Sequence, residues 1–202
     1  MTETLIIYSR YPEPGKTKTR MIPALGKDGA AELQRKMTEH TVSTARKVRS
    51  DRDLIIEVHF TGGNQQLMSE WLGEDLIYIP QVSGDLGKKM NSSFQRAFEL
   101  DNRRVVTIGI DCPDLDRQIL NNAFNSLQKQ ELVIGVAQDG GYYLIGLTKI
   151  VPQLFQNINW GTEQVLAQTK AIAQKLNINT CYLTTLSDID RPEDLWIWEK
   201  HL

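Results

Sequence analysis

Three cationic residues stand at alternate positions in a loop that follows the first apolar run of the chain: Lys16, Lys18 and Arg20. Pro14 stiffens the entry to this loop, and Gly15 lets another group approach the backbone closely. If the stretch is extended, the three side chains point to the same side and can hold a di- or triphosphate. The alternative is a solvated basic loop, which is the usual role of a run of charges.

The same loop lacks the two best-known phosphate-binding signatures. Gly15-Lys16-Thr17 resembles the end of a Walker A motif, but the first glycine of that motif would fall at position 10, which is Arg10. A G-x-G-x-x-G fingerprint for dinucleotides does not occur in the sequence either. The residues therefore predict a phosphate-binding loop of a different kind.

Aspartates stand at the ends of two later strand-like segments. Asp111 ends the apolar run Val-Val-Thr-Ile-Gly-Ile, where it would be held rigidly and could bind a hard cation such as Mg²⁺. Alternatively, Asp111 or Asp114 caps the turn before the next helix. Asp188 and Asp190 place two carboxylates on one face of an extended segment, which suits a second contact to the metal. Their alternative role is to complement the amino-terminal dipole of a helix that starts at Pro192.

A further acidic residue precedes a pair of glycines. Asp139 could bind an acceptor hydroxyl or act as a base, while Gly140 and Gly141 let a ligand approach the backbone. The alternative is a tight hairpin turn built on the Asp-Gly pair. The three histidines share no local motif and are interpreted as structural residues.

Strand-like and helix-like apolar patterns alternate along the chain, which is typical of an α/β fold with a mostly parallel sheet between helices. Residues 142–147 follow the preceding strand too closely for a crossover helix, so we expect an antiparallel edge strand or an inserted hairpin. Ligands of open α/β sheets bind beyond the carboxyl ends of the strands, where the loops above lie. The predicted strands are 5–8, 54–60, 76–79, 104–110, 132–137, 142–147 and 181–183. The predicted helices are 30–48 with Asp28 as cap, 65–72, 86–100, 116–127, 162–176 and 192–200.

The composition is that of an ordinary globular protein: 202 residues, 41% hydrophobic and 24% charged, enough for one domain. The formal net charge of −2 gives no bulk attraction to nucleic acid or to an anionic membrane. No apolar stretch approaches the roughly 20 residues that cross a bilayer, and the amino terminus lacks a signal-peptide pattern. Cys112 and Cys181 form no C-x-x-C pair, so a cytoplasmic protein with reduced thiols is expected. The oligomeric state stays open.

Five segments recur, in the same order, in the DUF2064 family, which the chain resembles over nearly its whole length. They are YPEPGKTKTR at 11–20, GDLG at 84–87, GIDCPDL at 109–115, DGGYYLIG at 139–146 and DIDRPEDL at 188–195. That family is glycosyltransferase-A-like and includes glycosyltransferases associated with arsenosugar biosynthesis. The resemblance implies a nucleotide-diphospho-sugar transferase fold: one domain over residues 1–202, with three αβα layers around a mixed, mostly parallel sheet.

The resemblance also implies roles for individual residues. The basic loop would contact phosphates, residues 84–87 would line the base and ribose, and Asp111 would take the metal, Mg²⁺ or Mn²⁺. Lys89 stands where an arginine is common, which would weaken a bidentate phosphate contact. The expected nucleotide- or phosphate-binding residues are Pro14, Gly15, Lys16, Lys18, Arg20, Gly84, Asp85, Leu86, Gly87, Lys89, Gly140 and Gly141; the expected metal ligands are Asp111, Asp188 and Asp190.

The leading hypothesis is a metal-dependent transferase that moves a group from a nucleotide-activated small-molecule donor, preferably a nucleotide sugar, to an unidentified acceptor. The metal on Asp111 would neutralise the departing nucleoside diphosphate, and Asp139 would orient or deprotonate the acceptor hydroxyl. The alternative is a nucleotidyltransferase that releases pyrophosphate, because three cations suit a triphosphate somewhat better than a diphosphate. A third hypothesis is a nucleotide-binding protein without catalysis.

Overall fold

A computed structural model describes residues 2–201 of the chain. Within that part, one sheet of seven strands has the order β3-β2-β1-β4-β6-β5-β7. All neighbouring strands are parallel except the pairs that involve β6. The strands are β1 Glu3–Arg10, β2 Leu54–Thr61, β3 Ile77–Pro80, β4 Arg104–Ile108, β5 Leu132–Ala137, β6 Tyr142–Leu147 and β7 Thr180–Leu186. The α-helices are α1 Ile22–Arg49, α2 Gln65–Leu72, α3 Leu86–Glu99, α4 Arg117–Ser126, α5 Val165–Lys175 and α6 Leu195–Glu199.

Helices cover both faces of the sheet. Alternate residues of a strand point to opposite faces, and apolar residues on both faces need a layer of helices to bury them. In β1, Leu5 and Ile7 belong to one core cluster and Ile6 belongs to the other. The first cluster contains residues of α1, α2, α4 and α6, and the second contains residues of α3 and α5. The expected three-layer αβα architecture with a mixed sheet is therefore confirmed.

Strand β6 forms an inserted hairpin with β5 rather than an edge of the sheet. It lies between β4 and β5 and pairs with both in antiparallel register, for example Ile145 with Thr107 and with Ile134. Most of β6 is buried, which is the pattern of a central strand. The turn between β5 and β6, which carries Asp139, therefore lies at the same edge of the sheet as the carboxyl ends of β1 and β4.

Several element boundaries differ from the predicted ones. Helix α1 begins at Ile22, with Pro23 in its first turn, and Gly26 with φ 70° and ψ 174° interrupts it two residues before the expected cap Asp28. The predicted helix 116–127 begins one residue later because Asp116 is its cap, with Oδ1 accepting from the Ile119 backbone N–H at 2.8 Å. The predicted closing helix is a 3₁₀ turn, Pro192–Asp194, followed by the five residues of α6.

A buried chain of polar side chains fastens α3 to the sheet. Arg96 Nη1 donates to Glu57 Oε1 at 2.7 Å, and His59 Nε2 lies 2.8 Å from Glu57 Oε2. His59 Nδ1 lies 2.7 Å from Ser93 Oγ, which in turn contacts the Tyr8 hydroxyl at 2.5 Å. These contacts fix the helix whose first turn faces the carboxyl ends of β1 and β4.

No helix between residues 2 and 201 is long and apolar enough to cross a membrane.

Candidate functional site

A cavity of about 430 Å³ lies at the carboxyl end of β1 and is here called the basic cavity. The residues that line it include five cations, from the first loop, the end of β1 and helix α3, and two carboxylates, which gives a formal charge of +3. These charged residues are Arg10, Lys16, Lys18, Arg20, Lys89, Asp111 and Asp190. A positive cavity at the carboxyl edge of an α/β sheet is suited to an anionic ligand.

The basic loop is not extended, so the expected reason for its cations pointing together is wrong. Residues 14–16 form a turn, and residues 19–21 form a 3₁₀ turn. Lys18 between them adopts the left-handed conformation, with φ 44°. The turn is closed by Lys16 N–H donating to the Glu13 carbonyl at 3.0 Å and by Arg10 Nη1 donating to the Lys16 carbonyl at 2.7 Å. Folding of the loop still brings all three cations to the basic cavity.

Lys18 ties the loop to two other parts of the site. Its side chain is only 9% exposed, and Nζ donates to Asp111 Oδ1 at 2.7 Å and to the Ile189 carbonyl at 2.5 Å. These bonds use two of the three donors of the ammonium group, so one remains for a ligand. The ends of β1, β4 and β7 are therefore joined through a single buried cation.

Arg20 and Lys16 have other partners. Arg20 Nη1 forms an ion pair with Asp190, and Lys16 Nζ pairs with Glu13 at 2.6 Å. Both cations are largely exposed. Each cation of the loop thus has its own carboxylate, and two of the three pairs cross the cleft to distant parts of the chain.

A second cavity of about 320 Å³ adjoins the first and is here called the acidic cavity. Its charged lining consists of Asp111, Asp139, Asp188 and Asp190 with Arg20, a formal charge of −3. Burial, followed by the negative charges of Asp139, Asp111 and Asp190, raises the pKa of Asp188 above its ordinary value. The four carboxylates therefore act on one another across the same space.

The capping and turn roles given above as alternatives for the aspartates hold for some of these residues and not for others. Asp111 caps no helix, and Asp114 instead faces His201, with Nε2 and Oδ1 2.9 Å apart. At the turn before α6, the backbone N–H groups of residues 190 and 191 donate to the Asp194 side chain, and a complement to the helix dipole stays an alternative role of Asp188 and Asp190. Asp139 does form the Asp-Gly turn, because its Oδ1 accepts from Gly141 N–H at 2.8 Å, and it also lines the acidic cavity.

The donor chemistry of the acidic cavity fits a hard divalent cation, which prefers carboxylate oxygens. Burial raises the Asp188 pKa most and repulsion by the other carboxylates adds to it, and a cation would relieve that repulsion. Among residues 2–201, however, no group of three or more histidine, cysteine, aspartate or glutamate side chains is arranged as a ready-made metal site. Asp111, Asp188 and Asp190 line one cavity without forming a preassembled ligand set.

Several expected nucleotide-binding residues have structural tasks. Asp85 caps α3, because its Oδ1 accepts from Lys88 N–H at 2.8 Å. Of the expected residues between 84 and 89, Leu86 and Lys89 line the basic cavity. A Cβ on Gly87 would lie 2.3 Å from the Phe155 carbonyl oxygen. The expected residues outside both cavities are Pro14, Gly15, Gly84, Asp85, Gly87 and Gly140, whereas Gly141 lines the acidic cavity.

The space at Gly140 belongs to the chain rather than to a ligand. Gly140 has φ 88°, and a Cβ there would lie 2.4 Å from the backbone oxygen of Glu163. Its carbonyl accepts from Leu166 N–H at 2.9 Å. The glycine therefore allows the 139–141 turn to pack against the start of α5, which corrects the expectation that it admits ligand.

Sequence reasoning missed several lining residues. Arg10 entered only as the residue that excludes a Walker A motif, although its position at the end of β1 places it in the basic cavity. Trp160 and Thr162 also line the acidic cavity; Trp160 lies between predicted elements, and Thr162 lies in the loop before α5 although the sequence predicts a helix from 162. Cys112 also lines this cavity, and burial raises its thiol pKa, so it is no activated nucleophile.

Residues 44–162 match the model of the family described as "Uncharacterized protein conserved in bacteria (DUF2064)". The chain belongs to this family. The match includes the second, third and fourth of the five sequence motifs, which carry Leu86, Asp111 and Asp139. Among curated proteins, none matches the sequence of this DUF2064 protein.

Solved structures similar to this DUF2064 protein share its fold. A Desulfovibrio desulfuricans protein inferred to be a nucleotide-diphospho-sugar transferase is 30% identical, with a TM-score of 0.87, covering 95% of this chain and 84% of its own. The 4-diphosphocytidyl-2C-methyl-D-erythritol synthase of Anaerococcus prevotii is 12% identical, with a TM-score of 0.64 and coverages of 99% and 97%. A Mycobacterium tuberculosis protein in complex with manganese is 13% identical, with a TM-score of 0.56 and coverages of 100% and 99%. The last two likenesses show the fold alone.

Proposed function

We propose that this DUF2064 protein is a metal-dependent transferase that uses a nucleotide-activated donor, and that this donor is a nucleotide sugar. The observation that carries the proposal is the change of charge within one cleft, from +3 around the basic cavity to −3 around the acidic cavity. Three charged residues, Arg20, Asp111 and Asp190, line both cavities. A positive cavity beside a negative one suits a ligand that consists of a diphosphate paired with a metal cation.

The diphosphate is bound by the cations of the basic cavity. Arg20 and Lys16 are exposed and can turn towards phosphate oxygens, while Lys18 offers its third N–H donor. As Arg20 turns towards phosphate, its present partner Asp190 becomes available on the other side, while Asp111 keeps its bond to Lys18. The Arg20–Asp190 ion pair across the cleft is therefore compatible with binding, because phosphate replaces Asp190 at Arg20 and the metal replaces Arg20 at Asp190.

A divalent metal, Mg²⁺ or Mn²⁺, would be held by Asp111 with Asp188 and Asp190, and when bound it neutralises charge on the departing nucleoside diphosphate. Asp139 is held in orientation by the Gly141 N–H and faces the space where an acceptor would lie. In glycosyl transfer, the acceptor oxygen bonds to the anomeric carbon as the bond from that carbon to the diphosphate breaks. The bonding electron pair leaves with the nucleoside diphosphate, and the hydroxyl proton passes to the Asp139 carboxylate.

The proposal also includes the number of domains in the chain and the location of the protein in the cell. The chain acts as one domain, because its sheet contains strands from Glu3 to Leu186. A cytoplasmic location fits the two unpaired cysteines, Cys112 and Cys181, since thiols stay reduced in that compartment.

The second candidate is a nucleotidyltransferase, in which a phosphorylated acceptor attacks the α-phosphate of a nucleoside triphosphate and pyrophosphate leaves. The five cations of the basic cavity favour this candidate, because they exceed what two phosphates need.

Phosphorus NMR with Mg²⁺ and a panel of nucleotide sugars and nucleoside triphosphates separates the two reactions. Without the acceptor, water takes the glycosyl group, so we expect slow release of a nucleoside diphosphate from one of the nucleotide sugars, and none after chelation of the metal. Release of pyrophosphate from a triphosphate would replace the glycosyl-transfer proposal with the second candidate. If no nucleotide shifts the melting temperature with any metal, both proposals fail.

A further inference from the structure

A third cavity of about 480 Å³, here called the outer cavity, adjoins the acidic cavity. Its lining includes Glu163, Asp194 and Trp196, which do not line the other two cavities. The residues shared by the acidic and outer cavities are Arg20, Asp139, Gly161, Thr162, Asp188 and Asp190. A groove therefore leads from the proposed base Asp139 to an exposed tryptophan.

The net charge of this groove is negative. The outer cavity has five carboxylates and two arginines, a formal charge of −3, which equals that of the acidic cavity. Even a divalent cation bound in the acidic cavity would leave that part at −1. A phosphorylated acceptor would therefore meet a net charge of its own sign in both cavities, and such repulsion disfavours binding.

The walls of the groove also include aromatic surfaces. Trp160 packs edge-on against Tyr142, with ring centroids 6.3 Å apart, so its indole is held in place within the acidic cavity. Trp196, at the other end, is 55% exposed. Aromatic rings of this kind bury the apolar faces of amphipathic ligands, while nearby polar groups fix their orientation.

From the groove, its charge and its aromatic walls, we infer that the acceptor is an uncharged or cationic hydroxylated molecule with an apolar face, such as a glycoside. Asp188, Asp190 and Glu163 determine this specificity by excluding anionic acceptors. The inference rests on the proposed function, because it defines the second substrate of that reaction. It also separates the two candidate reactions, since nucleotidyl transfer needs a phosphorylated acceptor.

A matched pair of probes tests the charge class: p-nitrophenyl β-D-glucopyranoside and its 6-phosphate. Their dissociation constants are measured by saturation-transfer NMR on the protein with Mg²⁺ and saturating inorganic pyrophosphate, which occupies the basic cavity so that the phosphate ester cannot bind there. We expect the neutral glucoside to bind at least tenfold more tightly, with a gap that narrows as salt is raised because repulsion is screened. Equal or tighter binding of the phosphate ester, or no saturable binding of the neutral glucoside, overturns the inference.

A charge-reversal variant shows whether the groove itself causes the preference. Glu163→Lys changes an exposed side chain of the outer cavity, and we expect it to narrow the gap between the probes at least threefold. Glu99→Lys makes the same charge change at the exposed end of α3, outside the three cavities, and should leave the gap unchanged. An identical effect of both variants would assign the preference to net charge and contradict the inference.

A separate calorimetric titration with nucleoside diphosphates and Mg²⁺ keeps the two proposals apart. If nucleotides bind and the phosphate ester is preferred, the acceptor class is wrong while the proposed function stands. If nucleotides do not bind and the neutral glucoside is still preferred, the proposed function fails while the selectivity of the groove stands.

Discussion

Lys16 and Lys18 stand two positions apart in one loop, yet the side chain of Lys18 is 9% exposed and that of Lys16 is 67% exposed. Lys18→Met removes the bonds to Asp111 and to the Ile189 carbonyl, so we expect it to lower the free energy of unfolding by about 2 kcal/mol. Lys16→Met should change that free energy by less than about 0.5 kcal/mol. Urea denaturation measures both, and an equal loss in the two variants would contradict the different roles assigned here.

Asp111 is the residue on which the proposed metal depends most. Asp111→Asn keeps the shape of the side chain and removes its charge, so we expect the Mg²⁺-dependent part of nucleoside diphosphate binding to disappear in calorimetry. Asp116→Asn is the matched control, because asparagine caps a helix as well as aspartate does and Asp116 lies outside the basic and acidic cavities. Normal metal-dependent binding by Asp111→Asn would refute the assignment.

The repulsion among the carboxylates predicts a pH-dependent cost at Asp188. Its pKa is raised in the folded protein by burial and then by the charges of Asp139, Asp111 and Asp190, so its ionisation is less favourable there than in the unfolded chain. The cost is absent below the ordinary carboxyl pKa and is fully present above the raised value. Asp188→Asn should therefore raise the melting temperature at pH 7 without metal, and this gain should vanish as the pH falls through that range. A pH-independent effect would exclude this origin.

At the scale of elements, the β5–β6 turn is held against the start of α5 through Gly140. Alanine there must adopt a positive φ and also displace the Glu163 backbone, so we expect a loss of at least about 2 kcal/mol. Gly161→Ala is the control, because φ is also positive, at 79°, while a Cβ would meet no atom within 4 Å. Gly161→Ala should lower the free energy of unfolding by about 1 kcal/mol. Thermal denaturation compares them, and equal losses would show that the close packing is unimportant.

Local patterns in the sequence were sufficient for most elements, because buried strands and amphipathic helices leave a periodic signal. Strands β5 and β6 match their predicted bounds, and so does helix α2. The placement of β6 between β4 and β5 was left open, because pairing depends on contacts far apart in the chain. The first turn of α1 was missed since Gly26 interrupts the helical pattern there.

At the scale of the whole molecule, the sequence predicted which loops meet but not which residues pair. Lys18 and Asp111 are 93 positions apart, and Arg20 and Asp190 are 170 positions apart. No local spacing encodes such pairs. For the same reason the sequence does not show why position 140 needs a glycine, because the close neighbour of Gly140 is the backbone of Glu163. The net charge of −2 likewise conceals two cavities of opposite sign.

A crystal structure with Mn²⁺ and a nucleoside diphosphate tests the division of the cleft most directly, because the anomalous signal locates the metal independently of the phosphates. We predict phosphates in the basic cavity beside Lys16 and Arg20, with the metal on Asp111. We also predict that the Arg20–Asp190 pair is broken in the complex. Phosphates in the acidic cavity, or a metal away from Asp111, would contradict this division.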